Sequence, residues 1–103
     1  MTIVKICGLS SPEHLLVAAA AGADYIGLVF APSRRQVSIS TAQRLVATLR
    51  DAGYATQVVG LFVNEPASTI ATTVAQCSLD VIQLHGTEAY DIVAELPPMP
   101  IWR

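Results

Sequence analysis

The chain has 103 residues, enough for one domain with a real core but short of the roughly 250 of a closed (β/α)8 barrel. Charged residues make up 14%, against a usual share of about 25%, and hydrophobic residues 52%, which excludes disorder and leaves little surface made for water. Eight acidic residues against six basic ones, with no basic cluster, argue against a nucleic-acid partner.

Short β-branched apolar runs alternate with Ala/Leu-rich segments, the pattern of strand and helix units in a parallel sheet. A first strand is predicted over residues 3–7. Ser11 beside Pro12 then marks a helix start, Leu15, Leu16, Ala19 and Ala20 supply an apolar stripe, and Gly22 fits the position just past the helix end. The second strand, residues 25–30, is nearly all apolar, as expected where both faces of a sheet are covered. A polar loop, residues 31–36, leads to a helix capped by Ser38 or Ser40, with Leu45, Val46 and Leu49 on one face and Gly53 as its stop. Residues 57–63 form the third strand. The third helix, from Ala67 to about Gln76, is so rich in Thr that tertiary packing must hold it. Residues 81–84 form the fourth strand, 85–87 its exit loop, and 88–96 a fourth helix stopped by Pro97 and Pro98; residues 101–103 begin a fifth strand.

The predicted fold is therefore α/β: four parallel βα units plus the start of strand five. The chain reads as interrupted, since residues 101–103 begin a new strand. No apolar stretch approaches the roughly 20 residues needed to span a bilayer, and the opening Met1-Thr2-Ile3-Val4-Lys5 has no leader character. A cytoplasmic protein is predicted, with Cys7 and Cys77 as free thiols.

Side chains alternate across a strand, so Lys5 and Cys7 share one face and Val4 and Ile6 the other. If Val4 and Ile6 pack on helices, Cys7 faces inward at the C-terminal end of its strand, where parallel α/β folds collect their active sites. Gln83 and His85 share a face of the fourth strand in the same way. Taken singly, a strand cysteine is more often a small core residue, and a lone histidine more often structural. Polar residues recurring together at strand ends shift that balance toward a pocket. Arg34 and Arg35 suit solvated loop charges, or a fork for a planar anion. Neither a phosphate-binding Gly-rich loop nor zinc-ligand spacing occurs, so no metal is expected.

The segment Val4-Lys5-Ile6-Cys7-Gly8-Leu9 resembles the opening motif of the phosphoribosylanthranilate isomerases of tryptophan biosynthesis. Three further segments agree in order. Residues 22–38, with Gly27-Leu28-Val29-Phe30-Ala31-Pro32-Ser33-Arg34-Arg35, look like that family's second strand and loop; Val59-Gly60-Leu61-Phe62-Val63-Asn64 is similar to its third strand, and Val81-Ile82-Gln83-Leu84-His85-Gly86 to its fourth. The resemblance implies a (β/α)8 TIM barrel, with residues 1–103 as the N-terminal half of that single domain (a half-barrel), performing a cofactor-free Amadori rearrangement of N-(5′-phosphoribosyl)anthranilate. In that family a general acid opens the ribose by protonating its ring oxygen, and a base then removes the C2′ proton. Cys7 matches the base, Arg35 the arginine expected to hold the anthranilate carboxylate, and Lys5, Gln83 and His85 positions that line or support the pocket. A thiol serves as a base only as thiolate, which nearby positive charge favours. The family's general acid, an aspartate on a later strand, and its phosphate site, after the last two strands, match nothing here; Asp80 and Asp91 are not substitutes by motif. The fragment is thus expected to be inactive alone.

Two alternatives stand beside this one. A sheet with helices on one side leaves its inner face and edges uncovered, which predicts a non-catalytic half-barrel that associates with itself or with the missing half. Another phosphosugar-converting TIM-barrel enzyme fits the element pattern but not the Lys5-Ile6-Cys7-Gly8 motif or Arg35. An open flavodoxin-like sheet fits the element count alone.

Overall fold

The computed structural model describes residues 3–103; Met1 and Thr2, part of the opening segment read for leader character, lie outside them. Five parallel strands, β1 (Lys5–Cys7), β2 (Tyr25–Val29), β3 (Gln57–Phe62), β4 (Val81–Leu84) and β5 (Ile101–Trp102), form one sheet in sequential order. Helices α1 (Pro12–Ala20), α2 (Ile39–Asp51) and α3 (Ala67–Cys77) fill the first three connections. β1 is shorter than the predicted strand. Its approach is still fixed, because Val4 N–H donates to Asp24 Oδ2 at 2.8 Å and Val4 C=O accepts from the backbone of Asp24 and Tyr25.

The helix starts follow from capping chemistry. Ser11 Oγ accepts from His14 N–H ahead of α1, and Ser38, rather than Ser40, accepts from Thr41 N–H at 3.1 Å ahead of α2. Gly22 and Gly53 take positive φ just past those helices, as their positions required. The α1 stripe differs from the expected one: Leu15, Ala18 and Ala19 are buried at i, i+3, i+4 spacing, whereas Ala20 is exposed. In α3, Thr72 and Thr73 return their hydroxyls to the carbonyls of Ser68 and Thr69, so the threonines satisfy themselves within the helix.

The fourth connection corrects the predicted helix over residues 88–96. A 3₁₀ helix spans Tyr90–Glu95 instead. Glu88 spends its carboxylate on the neighbouring loops, Ala89 offers no side-chain cap, and Pro97 disfavours α geometry at the residue before it.

One face of the sheet carries the core. Ile26, Leu28, Val58, Phe62, Ile82 and Leu84 pack against Leu15, Leu45, Leu49, Ile70 and Cys77 of the helices. Ile6 joins them, as alternation predicted, but Val4 lies before the strand and is exposed. No helix among the described residues is long and apolar enough to cross a membrane.

Candidate active site

Because all five strands are parallel, their C-terminal ends share one rim. Cys7, the last residue of β1, pairs in register with Gly27 of β2. A Cβ at Gly27 would stand 2.7 Å from Cys7 Sγ, so the exposed thiol sits over a bare patch of backbone. Gly8 follows with φ +80° and donates its N–H to Gly27 C=O at 2.9 Å. The space beside Gly8 is filled by Arg35: a Cβ there would lie 2.5 Å from Arg35 Cδ and 3.1 Å from Nη1. Two glycines thus bring the thiol and the guanidinium to neighbouring positions.

The β2–α2 loop is folded to allow this. Val37 N–H returns to Val29 C=O at 2.9 Å, Arg35 N–H donates to Ser33 Oγ at 3.1 Å, and Gln36 Nε2 donates to Phe30 C=O at 3.4 Å. Arg34 and Arg35 are both exposed, and of the two it is Arg35 that lies against Gly8.

Further inside, Lys5 Nζ donates to Gln83 Oε1, joining β1 to β4 across the concave face. In a flat sheet these strands would be about 14 Å apart, three interstrand spacings, so the contact requires a curled sheet. Trp102 of β5 crosses the same interior: its ring lies 5.6 Å from Lys5 Nζ and meets Tyr25 of β2 edge-on, with centroids 4.8 Å apart.

His85 follows β4 at the same rim, with its N–H on Phe62 C=O at 3.0 Å. Arg35 is brought against Gly8, the residue after Cys7, and Lys5 is joined to Gln83. Among the described residues, the His85 side chain makes no hydrogen bond to the other four.

The structure adds a residue that the sequence reading assigned only to a helix. Glu88 is buried, and its two carboxylate oxygens accept from Asn64 N–H and Gly86 N–H, each at 2.8 Å. Burial pushes this carboxyl up. The backbone N–H groups of Asn64, Glu88 and Gly86, with the charge of Arg103, outweigh that and hold it below its ordinary value. The only sequence signal was an acidic residue two positions past an exit-loop glycine.

The larger cavities lie elsewhere. One of about 440 Å³ opens at the opposite rim beside Asp24, Tyr25 and Gln57; another of about 450 Å³ lies between α1 and α2 beside Arg44 and Asp51. Neither is lined by Cys7 or Arg35. Within the described sheet β1 and β5 do not pair, so the concave face stays open between them.

A curled parallel sheet with helices on its outer face and polar side chains within marks the chain as a parallel α/β protein, the class to which TIM barrels belong. The chain belongs to the N-(5′-phosphoribosyl)anthranilate (PRA) isomerase family, whose model matches residues 4–103. It is 42% identical over 101 residues to the N-(5′-phosphoribosyl)anthranilate isomerase of Roseiflexus castenholzii, an alignment covering 94% of this chain and 48% of that protein. With the isomerase of Streptococcus pneumoniae (strain ATCC 700669 / Spain 23F-1) identity is 45% over 97 residues, covering 94% and 47%. Among solved structures, monomers generated from the dimeric isomerase of Thermotoga maritima superpose with a TM-score of 0.89 at 35% identity, over 99% of this chain and 51% of that one. A phosphoribosyl anthranilate isomerase in complex with reduced 1-(o-carboxyphenylamino)-1-deoxyribulose 5-phosphate gives 0.86 at 35% identity, over 93% and 48%. The chain spans about half the length of the curated relatives it matches.

Proposed function

We propose that residues 1–103 form the N-terminal half of a single (β/α)8 barrel and supply the base and the carboxylate clamp of a phosphoribosylanthranilate isomerase of tryptophan biosynthesis. The strand stagger supports the half-barrel. The row through Lys5 runs to Tyr25 and Gln57, and continued by the β3–β4 register it reaches Leu79, four residues short of the Gln83 that Lys5 actually meets. From β1 to β4 is three of a ring's eight interstrand steps, over which the eight-residue shear of a TIM barrel gives a stagger of about three residues, close to the four found.

The observation that carries the chemical reading is the placement of Arg35 against Gly8, next in the chain to Cys7, whose thiol lies over Gly27. Arg35 presents a fork to the anthranilate carboxylate and so holds the amino-linked ribose over the thiol. Once an acid has protonated the ring oxygen and opened the ribose to the iminium, the Cys7 thiolate removes the C2′ proton. The electrons of that C–H bond flow to the iminium nitrogen, giving an enolamine that tautomerises to the aminoketose, with no cofactor needed. Lys5, Gln83 and His85 line or support the pocket. The acid and the phosphate site belong to the half of the relatives that these residues do not match, so the chain is inactive alone. One edge of β1 and one of β5 are left unpaired within the described sheet, which suits docking of that second half, or of another copy of the chain.

Reconstituting the barrel with a segment corresponding to the relatives' second half tests this. Cys7→Ala is expected to lower turnover about 100-fold or more while the reduced product analogue still binds. Undiminished turnover would sink the assignment of the base.

A further inference from the structure

The geometry points to Glu88 as a positioning residue that sets the direction of His85 by fixing the peptide unit that follows it. This rests on the reading of His85 as a pocket residue. The direction in which a side chain leaves the backbone depends on the two peptide planes flanking its Cα. For His85 both planes are pinned. Its own N–H donates to Phe62 C=O at 3.0 Å, and the Gly86 N–H, in the plane that carries the His85 carbonyl, donates to Glu88 Oε1 at 2.8 Å.

The second oxygen of the same carboxylate reaches another loop. Glu88 Oε2 accepts from Asn64 N–H at 2.8 Å, and Asn64, at φ +52°, returns its side-chain oxygen to Thr87 N–H at 2.9 Å. The loops after β3 and β4 are thereby held together at the rim. They are in close contact: a Cβ on Gly86 would stand 2.7 Å from Asn64 Oδ1 and 3.1 Å from Asn64 N. Arg103, past β5, adds a donor to Glu88 C=O at 2.5 Å and is the charged group facing the carboxylate. A buried carboxylate that satisfies two backbone N–H groups on two loops makes strong, charge-assisted bonds, and an amide in its place offers only one acceptor.

Glu88→Gln in the isotopically labelled chain provides the test. Losing one of two bonds at nearly constant shape is expected to speed hydrogen exchange of the Asn64 or Gly86 amide about tenfold and to move the His85 ring resonances, while amides in the middle of β2 and β3 keep their rates. Uniformly faster exchange with unmoved His85 resonances would overturn the proposal, since that pattern reports general weakening. Should the variant fail to fold, the unmodified chain answers the question. As Glu88 is titrated with acid, the His85 ring signals must follow the Asn64 and Gly86 amides through one shared transition, and signals that stay still would refute the role. These measurements need no substrate, so a reconstituted barrel without isomerase turnover would count against the enzymatic reading and leave the loop result in place.

Discussion

The side chain of Arg35 runs across Gly8 so closely that its Cδ lies 2.5 Å from where a Cβ would stand. Gly8 also holds φ +80°, a backbone region that L side chains resist. Gly8→Ala is therefore expected to cost about 1–2 kcal/mol and to push the guanidinium off the rim. In a reconstituted isomerase it should raise KM, as Arg35→Lys should by removing the fork. Steady-state kinetics with an unchanged KM would contradict the clamp.

Gly27→Ala acts on the thiol. Its Cβ would meet Cys7 Sγ at 2.7 Å and the Cys7 backbone at 3.3 Å, so the side chain alone cannot relieve the clash. A loss of about 1–3 kcal/mol is expected in urea unfolding, with a changed alkylation rate at Cys7. Wild-type stability together with wild-type thiol reactivity would show that the two strands separate more easily than their register implies.

The two cysteines should differ sharply toward a thiol reagent. Cys7 is exposed; Cys77 is buried beneath α2, its Sγ donating to Ile39 C=O at 3.8 Å, and burial pushes its thiol up from 9.0. One thiol is expected to react in the folded chain and the second only after denaturation. Mass spectrometry of the labelled protein reads this directly.

Acid should weaken the protein through Glu88. Its carboxyl is held below the ordinary 4.5, so the unfolded chain takes up the proton first. The resulting stability is fully present above 4.5 and is lost as pH falls through the lower, folded value. Urea midpoints measured from neutral pH down to about pH 3 should drop less steeply for Glu88→Gln than for the unmodified chain. Equal slopes would show that the carboxylate contributes nothing to acid sensitivity.

At the opposite rim, Arg50 donates to Tyr54 C=O at 2.9 Å, Thr56 C=O at 2.7 Å and Asp80 Oδ2 at 3.0 Å, and Asp80 also accepts from Val58 N–H at 2.8 Å. Asp80→Ala should cost about 1–2 kcal/mol, the ion pair itself being partly exposed. Arg35 and Cys7 should be untouched by it. A thermal melt and the Cys7 alkylation rate measure the two halves of that expectation.

The strands and first three helices were legible because apolar runs, serines and glycines act locally: Ser38 caps where a serine should, and Gly22 and Gly53 turn left-handed where a helix must stop. The pairing of Lys5 with Gln83 was legible only as a shared face, since no local rule gives the curl that joins residues 78 apart. The 3₁₀ segment after β4 was misread because the role of Glu88 depends on Asn64, in a loop 24 residues earlier. The fitting of Arg35 onto Gly8 was hidden for the same reason: an absent side chain leaves no mark in a sequence until its neighbour is known.

Trp102 and Lys5 brace the sheet from within, linking its outermost strands through Tyr25 and Gln83. The bend is thus carried by the five described strands themselves. In the proposed barrel, a second half would meet a template already arched to receive it, and would give up less freedom in docking than one that had to impose the arch.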